Sequence, residues 1–256
     1  HSVYHCPCAM TNMCKRDYLT NIGFQELMDN TVYSAEEINS TWGANDSTSA
    51  MKTFHRIEQK DSAEHLFMVY QTVSSHEPWV VPYNRLQDEK LNAFAYTDYS
   101  VGLLIDSLKT LPQWDSLLVI MIPDHGYLYK QSYEDPEFFH SPMLWLGGAI
   151  RQPRRMQVLM NQSDLAATLL SQLGISHRDY PWSRNVLSRN YTYPFAYCCF
   201  PEGIMWKDHT GETLFDITAN SLVTDHHAGG EERLRKAQSV LQTGYDWYSE
   251  QMHTFR

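Results

Sequence analysis

Leu117–Ile122 is an unbroken apolar run, LLVIMI, that stops at Pro123-Asp124-His125-Gly126. A strand without polar alternation is stable only where both faces of its sheet are covered, so this stretch predicts an α/β fold around a mostly parallel sheet. The flanking segments agree. Glu89–Leu111 places Leu91, Phe94, Ala95, Val101, Leu104, Ile105 and Leu108 at three- and four-residue steps, which predicts an amphipathic helix closed by Pro112. His65–Val73 and Pro142–Gly148 read as further buried strands, the first running into SSHEPW and the second ending in glycines. Asn161–Gly174 predicts a helix with Ser163 as its cap and Gly174 as its stop.

Upstream, Ser34 with Glu37 matches a capping box, and Asp46 or Ser47 can start a helix that runs to about Ile57. From Tyr193 the texture changes: FAYCCF, GIMWKD and ETLFDIT predict a small antiparallel meander, and Glu231 to about Thr254 a closing helix. The expected organisation is an α/β body over residues 1–192, with 193–256 packed as part of the same domain. A chain of 256 residues is long enough for one sizeable core of this kind.

Composition removes several function classes. The net charge is −10 and no block of five like charges occurs, which excludes a nucleic-acid surface built on clustered Lys and Arg. No window approaches the roughly 18 apolar residues of a membrane span. The start, HSVYHCPCAM, neither begins with Met nor carries a basic-then-apolar leader, so the chain is expected to be a processed product or part of something longer. Of the five cysteines, Cys198 and Cys199 would face opposite sides of one strand. Cys6, Cys8 and Cys14, with His5 or His1, can be read as a zinc cluster; their spacing is not that of a finger, and free thiols are the plainer reading.

Ligands of open parallel sheets bind beyond the carboxyl ends of the strands. Two such ends carry reactive groups: one delivers Ser74, Ser75, His76 and Glu77, the other Asp124 and His125. The two loops would share a rim if their strands are neighbours. An aspartate oxygen beside an imidazole nitrogen suits Mn²⁺ or Zn²⁺, although two ligands do not complete a site. The alternative is an aspartate capping a turn next to a hydrogen-bonded surface histidine. His76 is read either as a substrate group or as a loop histidine satisfied by water, and Glu77 as solvating that loop. His140 can face the same rim or play a supporting role, while Asp225-His226-His227 reads as a solvated loop.

As a set, IMIPDHGY, FHSPMLWLGGAI, QSDLAATLLSQLGI, SSHEPW and NAFAYTDYSVGLLIDSLK resemble the alkaline phosphatase superfamily. The closer resemblance is to the sulfatase-type catalytic domain of lipoteichoic acid synthases and phosphoglycerol transferases, in particular Bacteroidetes members, from about Tyr18 to the C-terminal helix. That resemblance implies a metal-dependent phosphoglycerol transferase or phosphodiester hydrolase acting on a lipid headgroup or surface glycan through a phospho-threonine intermediate. It implies Asp124 and His125 as ligands of one divalent metal, Mn²⁺ first, with Zn²⁺, Mg²⁺ or Ca²⁺ as alternatives. It also implies His76 beside the substrate phosphate, and a structural helix start at Trp42, Gly43 and Asp46. His140 is carried as a substrate-binding candidate. The implied location is the cell envelope, outside the cytoplasm, with a membrane anchor N-terminal to these residues.

The departures are specific. The family's threonine nucleophile and metal-binding glutamate are expected upstream of residue 1. His5 and Asn12 stand near the family's substrate loop in a stretch, YHCPCAMTNM, too different to transfer roles, and CKRDY is longer than the usual link. Sulfate-ester hydrolysis on the same fold is the competing activity, although CPCAM lacks the Cys/Ser-x-Pro-x-Arg pattern of a sulfatase nucleophile. A non-catalytic member that binds a glycan or headgroup is the other alternative.

Overall fold

The computed structural model describes residues 1–11, 14–61, 63–129, 135–227 and 229–254. Asn12 therefore lies outside the described residues. The chain forms two compact units. The first comprises His1–Val119 with Leu146–Arg151, the second Ile120–Trp145 with Gln152–Arg256.

The first unit is built on strand β1 (Ser2–His5), flanked in parallel by β2 (Glu26–Met28) and β5 (Phe67–Tyr70). Helix α1 (Lys15–Asn21) links β1 to β2. A short antiparallel pair, β3 (Ile38–Ser40) and β4 (Gly43–Ala44), precedes helix α2 (Asp46–Glu58). Helix α3 (Glu89–Leu108) packs on α2. Ala50, Phe54 and Ile57 of α2 meet Leu104, Ile105 and Leu108 of α3 in the unit's main apolar cluster, with Met68 and Tyr70 of β5 against it.

The α/β fold is as expected, and three local expectations are corrected. Ser34 and Glu37 do make the reciprocal contact of a capping box, the Glu37 carboxylate accepting the Ser34 N–H at 2.8 Å, but they close a turn that leads into β3 rather than a helix. The cap of α2 is Asn45, which accepts the Thr48 N–H; Asp46 is the first helical residue, with its side chain turned inward. In α3 the buried face begins on Asn92, Ala93 and Tyr96, and Leu91 is 38% exposed. Asn92 is drawn inside because its amide closes the preceding loop, accepting from the Arg85 and Leu86 N–H groups and donating to the Tyr83 carbonyl.

Strand β6 (Val119–Met121) follows a single-turn 3-10 segment, Pro112–Ser116, and pairs with β7 (Leu144–Leu146). Among the described residues the ladders join β5 to β1 and β6 to β7, and none joins β5 to β6. After β7 the chain needs glycine twice. Gly147 has φ +109°, and a Cβ there would lie 2.0 Å from the Leu117 carbonyl oxygen; at Gly148 it would meet the backbone of Trp114 and Asp115.

The second unit carries helix α4 (Asp164–Gln172) and an antiparallel sheet of β8 (Phe195–Phe200), β9 (Gly203–Asp208), β10 (Gly211–Asp216) and β11 (Ser221–His226), followed by helix α5 (Gly230–Thr254). Ser163 makes no cap bond. Asp164 does that work from inside, accepting the Asn161 N–H at 2.8 Å and both the backbone and the guanidinium of Arg184. Ile204, Trp206 and Phe215 form a core with Ala237 of α5.

Asp225 and His226, expected in a loop, end the fourth strand, and the difference has a polar cause. Asp225 of β11 accepts from Thr213 on β10 and from Arg233 of α5, whose guanidinium is fully buried and also reaches Thr210 and the His227 carbonyl. A carboxylate fixed by two neighbouring elements gives this polar segment a partner network that alternation alone does not reveal.

Candidate functional site

The best-defined candidate is the loop that follows β6. Asp124 and His125 project from it with side chains 80% and 72% exposed. The Asp124 Oδ1 accepts the His125 N–H at 3.0 Å, a local turn that fixes the carboxylate relative to the ring. His125 Nδ1 lies 2.8 Å from the Gly126 carbonyl oxygen. A carbonyl only accepts, so Nδ1 carries the proton and the neutral ring keeps its lone pair on Nε2. That Nε2 stands 3.8 Å from Asp124 Oδ2.

Two features of the second unit hold this loop. The Gln162 side-chain amide donates to the Pro123 carbonyl and, at 3.4 Å, to that of Asp124. Gly126 lies so close to the backbone of Phe138 that a Cβ would come within 2.5 Å of the Phe138 carbonyl oxygen. Nothing in the spacing of Gln162, beside the start of α4, points to this loop; the contact joins residues 39 positions apart.

His140 ends the 3-10 turn Pro136–Phe139 of the same unit, and its Nδ1 pairs with Glu137 at 3.2 Å. Glu137 is also 3.3 Å from Lys207, and the hydrogen bond with His140, then that with Lys207, holds its carboxyl below the ordinary range. His140 is thus engaged in a chain of surface polar contacts. In the run expected as a solvated loop, the Asp225 carboxylate and the His227 carbonyl instead accept from Arg233.

His76 belongs to the first unit, just past β5, and is exposed. Its Nδ1 is 3.1 Å from the Glu77 carbonyl oxygen, and the Trp42 ring meets it edge-on at 4.5 Å between centroids. The Trp42 indole N–H donates to the same Glu77 carbonyl. By the same donor logic as His125, the neutral ring of His76 presents an unprotonated Nε2.

The cysteine–histidine cluster considered for zinc does not assemble. Among the described residues no group of three or more His, Cys, Asp or Glu side chains is arranged around one point. His5 is fully buried, with Nδ1 2.7 Å from the Thr53 hydroxyl and Nε2 2.6 Å from the Tyr33 hydroxyl, so neither nitrogen is left for a metal. Burial, with Lys52 adding to it, lowers its pKa to about 4. No described helix is long and apolar enough to cross a membrane.

Comparison with known proteins places the chain in a family. The sulfatase family model matches residues 4–175, a stretch that includes the end of β1, the His76 loop, Asp124, His125 and α4. A protein of the alkaline phosphatase superfamily from Vibrio parahaemolyticus superposes with a TM-score of 0.80 at 20% identity, over 98% of this chain and 65% of that one. The lipoteichoic acid synthase LtaP from Listeria monocytogenes superposes with a TM-score of 0.75 at 15% identity, over 96% of this chain and 69% of its own. The chain therefore spans just under two thirds of the Vibrio protein, and at these identities the likeness is one of fold. With two thirds of its length matched by one family and its fold that of the alkaline phosphatase superfamily, the chain belongs to the sulfatase family.

Proposed function

We propose that the chain is the metal-binding part of a phosphodiester transferase or hydrolase, with Asp124 and His125 as two ligands of a single divalent ion, Mn²⁺ first. The observation that carries this reading is the pairing of His125 Nε2 with Asp124 Oδ2 at 3.8 Å while Nδ1–H is tied to a backbone carbonyl. Two donors each about 2.1 Å from one ion lie about 3–4 Å apart, and a ligating imidazole characteristically donates its other N–H to such an acceptor. The hard-oxygen and imidazole donor set suits Mn²⁺ or Zn²⁺ better than Mg²⁺ or Ca²⁺.

When held by Asp124 and His125, such an ion would supply positive charge for a phosphoryl oxygen and for the ionisation of a hydroxyl nucleophile. The chain's own residues do the rest. Gln162 and Gly126 hold the ligand loop to one geometry. His76, with Nδ1 at the Glu77 carbonyl and its ring against Trp42, is the proposed acid: in its protonated form it would donate to a phosphoryl oxygen or to the departing alkoxide. His140, linked to Glu137, is assigned a weaker role in binding substrate. The substrate class proposed is a glycerophosphate diester, as a lipid headgroup or on a surface glycan. The setting proposed is the cell envelope, with membrane attachment supplied outside these residues. The likeness to LtaP supports this choice.

Sulfate-ester hydrolysis is the second reading, favoured by the family model itself. The test is Mn²⁺ titration followed by the electron-spin signal of the free ion, alongside turnover of a glycerophosphate diester and of an aryl sulfate by the intact protein. Asp124→Ala and His125→Ala are each expected to abolish metal-dependent turnover. Undiminished turnover in either variant would remove the metal assignment. Turnover of the sulfate alone would select the second reading, and metal binding without turnover of either ester would leave a non-catalytic binding member.

A further inference from the structure

The segment Cys6-Pro7-Cys8 follows the central strand β1 and is fixed on all sides. The Cys6 N–H donates to the Met28 carbonyl at 3.0 Å, and the Cys8 carbonyl accepts the Asn30 N–H at 3.3 Å. Gly43, at φ +112°, packs so tightly on the Pro7 carbonyl that a Cβ there would come within 1.9 Å of its oxygen. Proline adds its own constraint on φ between the two cysteines. The outcome is that the two sulfurs, both present as thiols, stand 2.6 Å apart, close to the about 2.05 Å of a formed S–S bond.

The two thiols differ in surroundings. Cys6 is fully buried against Met10, Leu19 and Val73, whereas Cys8 is only partly covered. The hydrogen bond from Cys6 holds the Cys8 thiol down at about 6, against its burial and with the help of the nearby Lys15 ammonium. The same bond and burial push Cys6 well above an ordinary thiol. Lys15 is kept near by the Gln71 side-chain oxygen and by the Tyr4 ring, 5.1 Å from its Nζ.

We infer that Cys6 and Cys8 form a thiol–disulfide exchange site whose reaction partner is a low-molecular-weight disulfide of the glutathione type. The Cys8 thiolate attacks one sulfur of the small disulfide R–S–S–R. That S–S bond breaks, a Cys8–S–S–R bond forms, and RS⁻ leaves to take a proton from solvent. Cys6 then loses its proton and attacks Cys8 Sγ, breaking the mixed disulfide and expelling the second RS⁻. In balance, two protein thiols lose two electrons and two protons, and the small disulfide is reduced to two RSH. The Cys8 thiolate, available near neutral pH, favours the first attack, and the 2.6 Å separation of the sulfurs places Cys6 beside the mixed disulfide for the second. Neither step involves Asp124 or His125.

The experiment incubates the purified chain with glutathione disulfide and follows intact mass and the peptide map. Wild type is expected to lose two hydrogens through a Cys6–Cys8 link, with no lasting glutathione on either residue. Cys6→Ser should retain one glutathione at Cys8, and Cys8→Ser should carry none at Cys6. Because a serine at the buried position 6 can impair folding, the wild-type map alone also decides: a stable adduct at Cys8, a Cys8–Cys14 link, or two unreacted thiols at 6 and 8 would each overturn the inference.

Discussion

Asp46 and Asp124 are both aspartates at the start of a loop or helix next to a strand, yet their carboxylates have opposite surroundings. Asp46 is fully buried, and its oxygens accept the Val73 and Ser74 N–H groups and the Thr97 hydroxyl. Asp124 accepts one local N–H and otherwise faces solvent. A carboxylate saturated with fixed donors contributes to the fold and has little capacity left for a ligand; one with open lone pairs can take a cation at small cost to the fold. The number of donors around the oxygens, and not the residue type, separates the two roles.

The sharpest way to break that comparison is to remove each carboxylate. Asp46→Ala should cost about 3 kcal/mol or more, because it orphans two buried N–H groups and a half-buried hydroxyl. Asp124→Ala should stay within about 0.5 kcal/mol of wild type while abolishing Mn²⁺ binding. Urea unfolding of both variants checks the pair, and equal losses would erase the distinction. The same contrast exists between histidines. His5 is buried neutral with its pKa lowered from 6.5 to about 4, so below pH 6.5 the unfolded chain takes up a proton that the folded chain refuses. Stability should therefore fall as pH drops from about 6.5 to 4, by an amount on the order of 3 kcal/mol. In His5→Phe this part of the acid slope should disappear, and an unchanged slope would assign it to carboxylates elsewhere.

Two smaller effects sharpen the account of the ligand loop. Gly126→Ala forces a methyl group toward the Phe138 carbonyl and should cost about 1–3 kcal/mol. It should also weaken Mn²⁺ binding, read by the same spin titration. Gln162→Leu removes the tether on Pro123 and Asp124, and should lower stability by about 1 kcal/mol and Mn²⁺ affinity by about tenfold. Wild-type affinity in Gln162→Leu would show that Gly126 alone sets the loop.

The Asp124–His125 loop was legible in the sequence because a six-residue apolar run ending in polar residues has few alternatives, although only Val119–Met121 of it forms the strand. Helices α2 to α5 were legible for a similar reason, since their apolar spacing survives small errors at the caps. Strand β1 was not. SVYH is short and half polar, and its place at the centre of a sheet depends on His5 finding the Thr53 and Tyr33 hydroxyls, contacts from distant parts of the chain. Strand β11 was missed on the same ground, its Asp225 being satisfied by Arg233 and Thr213. Buried polar partners are long-range information, which periodicity does not hold.

The ladders have a consequence for how the molecule assembles in time. In the first unit β1 waits for β5, since Ser2 pairs with Phe67, and the chain between must be ordered before that contact is rewarded. In the second, each strand from β8 to β11 pairs with its immediate successor across a short turn, and α5 follows directly. Local pairing closes small loops and is fast, so in a pulse-labelling experiment the amides of β9 and β10 are expected to gain protection from exchange before those of β1.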